Sequence, residues 1–419
     1  MMSGQQNSDK QSLVSRTLSN LEARRQNLLN GGINCIPSPF RRFSNDFYGF
    51  EQKQYYLFSS FTKAGKTQFT LYLLFEALEY AFKNPDKVRM KVFYIMLEET
   101  DEGMTERYIS YLLNKLSDIR VSPTDLRSTK GTTPLDESIL LLLQDPQYQE
   151  RLAFFEKVFE FSTVSNPTGI YKLGKQYAED NGTVHHKKAK YKDDFGVIKE
   201  VDTFDWYEPN DVKEYRFLVV DHLSLVDAEK GMTQKEAMDK VSEYAAKYLR
   251  NRYGFITIII QQQSGEAESN DSFKLGRIRP SVRGLSDSKY SARDCSLMLG
   301  LFSPYKFGLE SYCGYDITKF KDHIRFLEVV VSRGGNQGGL IALFFDGATS
   351  TFYELPLPHE TAALEKIYKY IEELDKPQKT AKTFFIKTLT QLKHGKNFST
   401  CKKWFRKNNL LLRTSKIWN

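Results

Sequence analysis

Short runs of apolar residues, boxed in by polar ones, set the rhythm of the chain. Val92-Phe93-Tyr94-Ile95-Met96-Leu97, Phe217-Leu218-Val219-Val220 and Phe255-Ile256-Thr257-Ile258-Ile259-Ile260 are each too short for a helix and rich in β-branched and aromatic residues. Such runs read as strands buried on both faces. The pattern predicts strands at Gln54–Ser59, Val88–Leu97, Arg216–Val220, Phe255–Gln261, Leu327–Ser332, Leu340–Phe345 and Thr351–Leu355. Between them, apolar residues return at helical spacing over Thr67–Phe82, from about Asp101 to Leu116, over two further stretches, and over Gln234–Arg252. Alternating buried strands and helices predict an α/β domain whose mostly parallel sheet is covered on both faces.

The flanks differ. Residues 1–10 are polar and expected to be disordered, while Leu13, Leu18, Leu21, Leu28 and Leu29 give Ser12–Leu29 a helical spacing that Asn30-Gly31-Gly32 stops. A lone amphipathic helix this short needs another surface to pack on. A polar, Tyr- and Lys-rich section from about Asn166 to Val212 carries turn pairs at Asn181-Gly182 and Asp193-Asp194, which predicts a β-hairpin insert. Pro356 to Glu360 marks the end of the domain, and Thr361–Leu374 and Ala381–Leu392 read as two further helices. The expected organisation is a disordered start and helix over 1–35, a core over 36–356 with an insert at 166–212, and a basic helical appendage over 357–419.

Length and composition fit this picture. A chain of 419 residues suffices for one large α/β domain with a small appendage. No apolar run approaches the roughly 18–20 residues that span a bilayer. The first residues lack the apolar stretch of a signal peptide, and Cys35, Cys295, Cys313 and Cys401 are scattered, without metal-type spacing. A cytoplasmic protein with free cysteines and no membrane partner is the expectation. His185 and His186 lie in a Lys-rich stretch and read as solvated residues rather than ligands. Of the net charge of +8, much gathers in Lys376–Asn419, which holds no Asp or Glu. That one-signed tail suits a polyanion or is simply solvated. Trp404 and Phe405 in its midst either stack on bases or form the core of a small helix-turn-helix-type unit around His394-Gly395.

Candidate chemistry clusters at strand ends. Ser60-Phe61-Thr62-Lys63-Ala64-Gly65-Lys66-Thr67 lies between a predicted strand and helix, where a phosphate loop belongs. There the backbone N–H groups around Ala64 and Gly65 and the helix N-terminus cradle phosphate, Lys66 reaches the terminal phosphates, and Thr67 binds Mg²⁺. This makes ATP with Mg²⁺ the expected ligand, although Ser60 stands where the usual pattern has its first Gly. Asp221, closing the run Phe217–Val220, is the second magnesium carboxylate, acting through water, or else a helix cap. Glu98 and Glu99 follow the strand Val92–Leu97; Glu98 is the favoured general base and Glu99 its rival. After Ile256–Ile260 come Gln261-Gln262-Gln263, amides suited to sensing the terminal phosphate.

This set of motifs resembles the DnaB-like replicative helicases, superfamily 4 motors with a RecA-like ATPase core, of the kind phages encode. The resemblance spans roughly 36–355. It rests on a phosphate loop lacking the first Gly (Ser60–Thr67), the strand ending in Leu97-Glu98, Arg107 nine residues later, FLVVDHLSLV at Phe217–Val226, and the segment Arg279–Ser288 leading towards Asp294. The resemblance implies that Gln262 is the sensor. It also implies that Arg333, within Glu328–Gly335, is a finger reaching the neighbour's nucleotide, although the companion Lys of the family's pair falls on Val331 or Gly335. It implies single-stranded DNA contact near Arg283, Lys289 and Arg293, since Ser286 replaces the segment's usual Arg. A ring-shaped homo-oligomer, a hexamer in the family, follows as expectation, with primase or loader as further partners and the host cytoplasm as the location. The large N-terminal helical domain of bacterial members has no counterpart before the first strand, and the helix Ser12–Leu29 looks like the linker that docks on the adjacent subunit. A RecA- or RadA-like recombination ATPase and a non-unwinding loader or packaging ATPase share this core and stay open at this point.

Overall fold

The structure, a computed structural model, describes residues 13–374 apart from 130, 132–133, 193–194, 266–277 and 336–337. The predicted helix Ala381–Leu392, the basic tail with Trp404 and Phe405, and the turn at Asp193-Asp194 lie outside the described residues.

The chain opens with helix α1 (Leu13–Leu29) and a two-residue antiparallel pair, β1 (Ile36–Pro37) with β2 (Gly49–Phe50). Strand β3 (Tyr55–Ser60) leads into α2 (Lys66–Lys83), then β4 (Arg89–Met96) and α3 (Asp101–Ser117). The short α4 (Pro123–Leu126) and α5 (Glu137–Leu143) precede α6 (Pro146–Val158), β5 (Phe159–Ser162) and α7 (Pro167–Asp180). A hairpin of β6 (Gly182–Lys192) and β7 (Ile198–Pro209) stands apart as its own two-stranded sheet. The main chain then resumes with β8 (Glu214–Asp221), α8 (Gln234–Glu243), a π-helical segment Tyr244–Arg250, β9 (Ile256–Gln262) and β10 (Leu297–Phe302). A small pair, β11 (Ser311–Tyr312) with β12 (Tyr315–Asp316), is followed by β13 (Ile324–Ser332), β14 (Leu340–Asp346), β15 (Thr351–Glu354) and a helix at Thr361–Leu374.

Nine strands form one sheet in the order β15-β14-β13-β10-β3-β9-β8-β4-β5. The six from β10 to β5 are parallel, and β13, β14 and β15 continue antiparallel. The apolar runs are buried on both faces because alternate side chains enter different cores. Tyr56, Phe58, Val92 and Tyr94 pack with α2, α3 and α6, whereas Tyr55, Leu57, Phe93 and Ile95 pack with α7, α8 and the π-helical segment. Each large side chain taken fully out of water contributes about 1.5–3 kcal/mol, which is why these strands can be so uniformly apolar. A third cluster lies under the antiparallel end and includes Leu364, Ile367 and Ile371, so the helix Thr361–Leu374 shares a core with the domain.

Two predictions need correcting. The 166–212 section is only partly a hairpin, because its first third is the core helix α7. Asn166 caps that helix by accepting from the Gly169 N–H at 2.7 Å, and Pro167 stands at its first position. Gly174 lets α7 lie against the π-helical segment, since a Cβ there would stand 2.8 Å from a methyl of Leu249. The single helix expected over Gln234–Arg252 instead changes from α to π at Tyr244.

Candidate nucleotide site

Parallel strands present the N-termini of their following helices along one edge, and the polar candidates gather there. Ser60 still belongs to β3, level with Gln262 of β9 and Leu301 of β10. Its backbone is extended and its side chain is buried, so the position needs none of glycine's freedom. That is the physical reason the loop works without the first Gly of the usual pattern. The turn into α2 is made further on, by positive φ at Lys63 (58°) and Gly65 (96°). Gly65 is the N-cap of α2 and no side chain among the described residues caps it, leaving the first helical N–H groups to a ligand. The loop is braced from within the chain. Arg325, only 1 % exposed, donates from Nε to the Ala64 carbonyl at 2.7 Å and pairs with the Asp322 carboxylate at 2.9 Å. Lys306 Nζ donates to the Thr62 carbonyl at 2.8 Å, and Phe61 meets the Phe307 ring edge-on.

Lys66 is half-buried, and this burial lowers its pKa against the pull of Glu98 and Asp221, with the Lys306 charge adding to the lowering. Thr67 Oγ1 lies 3.3 Å from Asp221 Oδ1, and the buried Tyr94 hydroxyl donates to Oδ2 at 2.8 Å. Burial pushes the Asp221 carboxyl up to about 6, in spite of those two hydrogen bonds and the nearby Lys66. A desolvated carboxylate beside a threonine hydroxyl and a phosphate loop is the donor set a magnesium ion on a nucleotide takes, so the residues present fit Mg²⁺ and ATP.

Glu98 and Glu99 separate cleanly. Glu99 is bound by Arg107, whose Nε lies 2.9 and 3.1 Å from the two carboxylate oxygens. Glu98 stands at the tip of β4, and its charge acts on Lys66, Asp221 and His222. The three glutamines separate as well. Gln261 is buried and donates to the carbonyls of Ser286 (2.7 Å) and Ser288 (2.8 Å), and Gln263 donates to Ser59 Oγ at 2.7 Å. Gln262 alone of the three faces the loop, bonded to Thr62 Oγ1 and 3.0 Å from His222 Nε2. His222 Nδ1 accepts from Ser224, which assigns the ring proton to Nε2 and makes Gln262 Oε1 its acceptor.

The other candidates do not join this cluster. Arg283, Lys289 and Arg293 are exposed along a segment that descends from the Gln263 end of β9 to the start of β10. Arg293 leans over the Tyr290 ring at 3.9 Å and pairs with Asp294 at 3.2 Å. Arg333 follows β13, whose last residue Ser332 stands level with Leu297 and, through it, with Tyr56. It therefore sits at the opposite ends of the parallel strands, beyond about 13 Å of β3 at roughly 3.3 Å per residue. Sequence reasoning missed Tyr94, His222, Arg325 and Lys306. A tyrosine inside an otherwise apolar strand was a usable signal for Tyr94; Lys306 and Arg325 carry none, being far from the loop in sequence.

Solved structures share this architecture. The ATPase domain of a phage DnaB-like helicase superposes with a TM-score of 0.57 at 14% identity, covering 83% of this chain and 100% of that one. "The Structure Of A DnaB-Like Replicative Helicase And Its Interactions With Primase" gives 0.53 at 15% identity, over 82% of this chain and 67% of that one. The fold is the RecA-like ATPase fold of DnaB-like helicases. The RadB recombinase superposes at 0.40 and 11% identity, over 75% of this chain and 96% of that one, too loosely to weigh in any argument. No family model matches the chain, and no curated protein is similar to it in sequence. Within this RecA-like frame the strand ends carrying Thr67, Glu98, Asp221 and Gln262 come together at one edge.

Proposed function

We propose that this protein hydrolyses ATP to drive translocation on single-stranded DNA, as a DnaB-like helicase acting in a ring of identical subunits during DNA replication. The observation that carries this reading is the convergence of Lys66, Thr67, Asp221, Glu98 and Gln262 on one edge, with Arg333 at the other. An arginine at the far edge serves only a nucleotide held by another copy, so the arrangement supports a shared site rather than a self-contained one.

In this reading Ala64, Gly65 and Lys66 hold the phosphates, while Thr67 and Asp221 hold Mg²⁺, the latter through water. The ion supplies neutralisation of charge on the terminal phosphates. Glu98 takes the proton of the attacking water, unhindered by the ion pair that occupies its neighbour. Gln262 touches Thr62 in the loop and His222 beside Asp221, which suits a residue that registers the terminal phosphate. Arg283, Lys289 and Arg293 are proposed DNA contacts. The exposed apolar residues Val14, Leu18, Leu21, Leu28 and Leu29 of α1 are proposed to dock on the adjacent subunit. The likeness to a DnaB-like helicase and to a second ATPase domain supports the motor at the level of the fold. Primase or a loader as partner, and the host cytoplasm as location, belong to the same proposal.

Displacement of a labelled strand from forked DNA with a free 5′ tail tests it. ATP- and Mg²⁺-dependent unwinding is expected. ATP hydrolysis stimulated by single strands with no strand displaced would leave a non-unwinding ATPase and overturn the helicase reading.

A further inference from the structure

The far edge holds more positive charge than one finger. Three arginines from distant parts of the chain converge on the turn 293–296 that enters β10. Arg333 donates its backbone N–H to the Ser296 carbonyl at 3.0 Å and its guanidinium to the Arg293 carbonyl. Arg250 Nη1 donates to the Asp294 carbonyl at 3.0 Å and lies 3.5 Å from Ser296 Oγ. Arg293 itself follows on the surface, with Asp294 as its carboxylate partner. Arg250 and Arg333 are thus anchored through backbone carbonyls of one turn, and among the described residues their charges are not consumed by an ion pair of their own. Gathering like charges on a partly buried surface is unfavourable unless an anion is brought to it. The effect is visible at Arg250, whose pKa is lowered by burial and then by the Arg333 charge.

The placement of Arg250 is built. It ends the π-helical segment Tyr244–Arg250, and the wider turns re-aim the residues that follow α8; such segments are frequent at functional sites. The anion these arginines await is not the chain's own nucleotide, which the opposite strand ends hold. A head-to-tail ring brings two different surfaces of one chain together. Here those surfaces are an edge that holds a triphosphate and an edge that offers arginines.

We propose that Arg250 acts with Arg333 as a two-cation finger on the terminal phosphates of a nucleotide bound by the neighbouring copy. It takes up the role that Val331 and Gly335 cannot fill. This rests on the shared-site reading above and adds to it the second cation.

Charge and anchoring are separated by two variants. Arg250→Gln keeps a donor for the Asp294 carbonyl and loses the charge; Arg250→Lys keeps the charge. The first is expected to lower ATP turnover at saturating DNA about tenfold to a hundredfold, and the second only a few-fold, with melting temperatures near the parent's. Mixed with Lys66→Ala subunits, in oligomers shown by sizing to be joint, Arg250→Gln should recover turnover above either alone. Parent-like turnover in Arg250→Gln, or a loss that mixing does not recover, overturns the inference. A drop confined to affinity for single-stranded DNA, with a flatter salt dependence, also overturns it and assigns the arginine to DNA phosphate. Should Arg250→Gln melt early, Arg250→Lys decides, and lost turnover in that variant when folded refutes the charge role. Arg333→Ala is run alongside. If it recovers with Lys66→Ala while Arg250→Gln does not, the shared site stands without Arg250; if neither recovers, the shared site itself falls.

Discussion

The two ends of the parallel strands are built on different principles. At the phosphate-loop end, polar groups close on each other: Thr67 and Tyr94 on Asp221, Gln262 on Thr62 and His222, Arg325 and Lys306 on the loop carbonyls. At the far end, Arg250 and Arg333 hang from main-chain carbonyls with their charges left over among the described residues. The first end is a finished binding site within one chain. The second has the character of half a site. Charges satisfied internally point to a ligand that arrives with its own counterion, and charges left unsatisfied point to a ligand fixed on something else.

The largest expected effect lies at the finished end. Lys66→Ala should abolish measurable ATP turnover, on the order of a thousandfold loss or more. Its fold should survive, because what the side chain gives up is a half-buried charge whose pKa burial already lowers. Turnover assays with circular dichroism on the same sample check both halves. A folded variant with near-parent turnover would sink the phosphate-loop assignment.

The neighbouring glutamates give the next contrast. Glu98→Gln should keep nucleotide binding and lose about a hundredfold in turnover, since the amide cannot accept the water's proton. Glu99→Gln should turn over within a few-fold of the parent and show a lower melting temperature, by an amount matching about 1 kcal/mol, because it weakens a half-buried ion pair with Arg107. A reversal of the two phenotypes would exchange their roles.

How much of this was legible follows from the range over which each signal acts. Strands β3, β4, β8 and β9 announce themselves because burial on both faces makes them continuously apolar. The phosphate loop is legible because its parts are adjacent in sequence. Helix α7 was hidden in a polar section: its inward face uses Ile170, Gly174 and Ala178, a sparse and small set that periodicity weighs lightly. The Asn166-Pro167 start was the signal available, a cap followed by a proline at the first position. Choosing among Gln261, Gln262 and Gln263 required knowing which way each points at the end of a strand, and residue type cannot tell that. Arg250 beside Arg333, and Lys306 and Arg325 on the loop, are products of the tertiary fold alone.

The glutamines therefore make a sharper third test. Gln262→Ala should lower turnover about tenfold or more with melting unchanged, because the side chain sits at the open site. Gln261→Ala should do the converse. It frees the carbonyls of Ser286 and Ser288 and the Ser291 hydroxyl, and buried groups left without partners cost about 1–3 kcal/mol. Thermal melts and turnover on both variants decide it; equal losses of activity and stability in the two would dissolve the distinction.

The smallest effect is expected from a change that leaves both ends alone. Glu229 ties α7 to α8: it accepts from the Thr168 N–H at 2.7 Å and from Lys240 Nζ at 2.7 Å, and these contacts, Lys240 foremost, hold its carboxyl down at about 2 against an ordinary 4.5. A carboxylate with a lowered pKa in the folded state stabilises it above its unfolded value, and the contribution is lost as pH falls through the folded one. The parent should therefore out-melt Glu229→Gln by a small margin at neutral pH, small because the carboxylate is exposed to solvent. That margin should shrink between pH 4.5 and about 2. Turnover at neutral pH should match the parent's. Because α8 continues into the segment that ends at Arg250, a turnover loss here without a stability loss would show that the helix pair transmits to the far-end arginines. The far end would then depend on packing well outside its own turn, and the contrast between a self-braced end and a charge-bearing one would have to be redrawn.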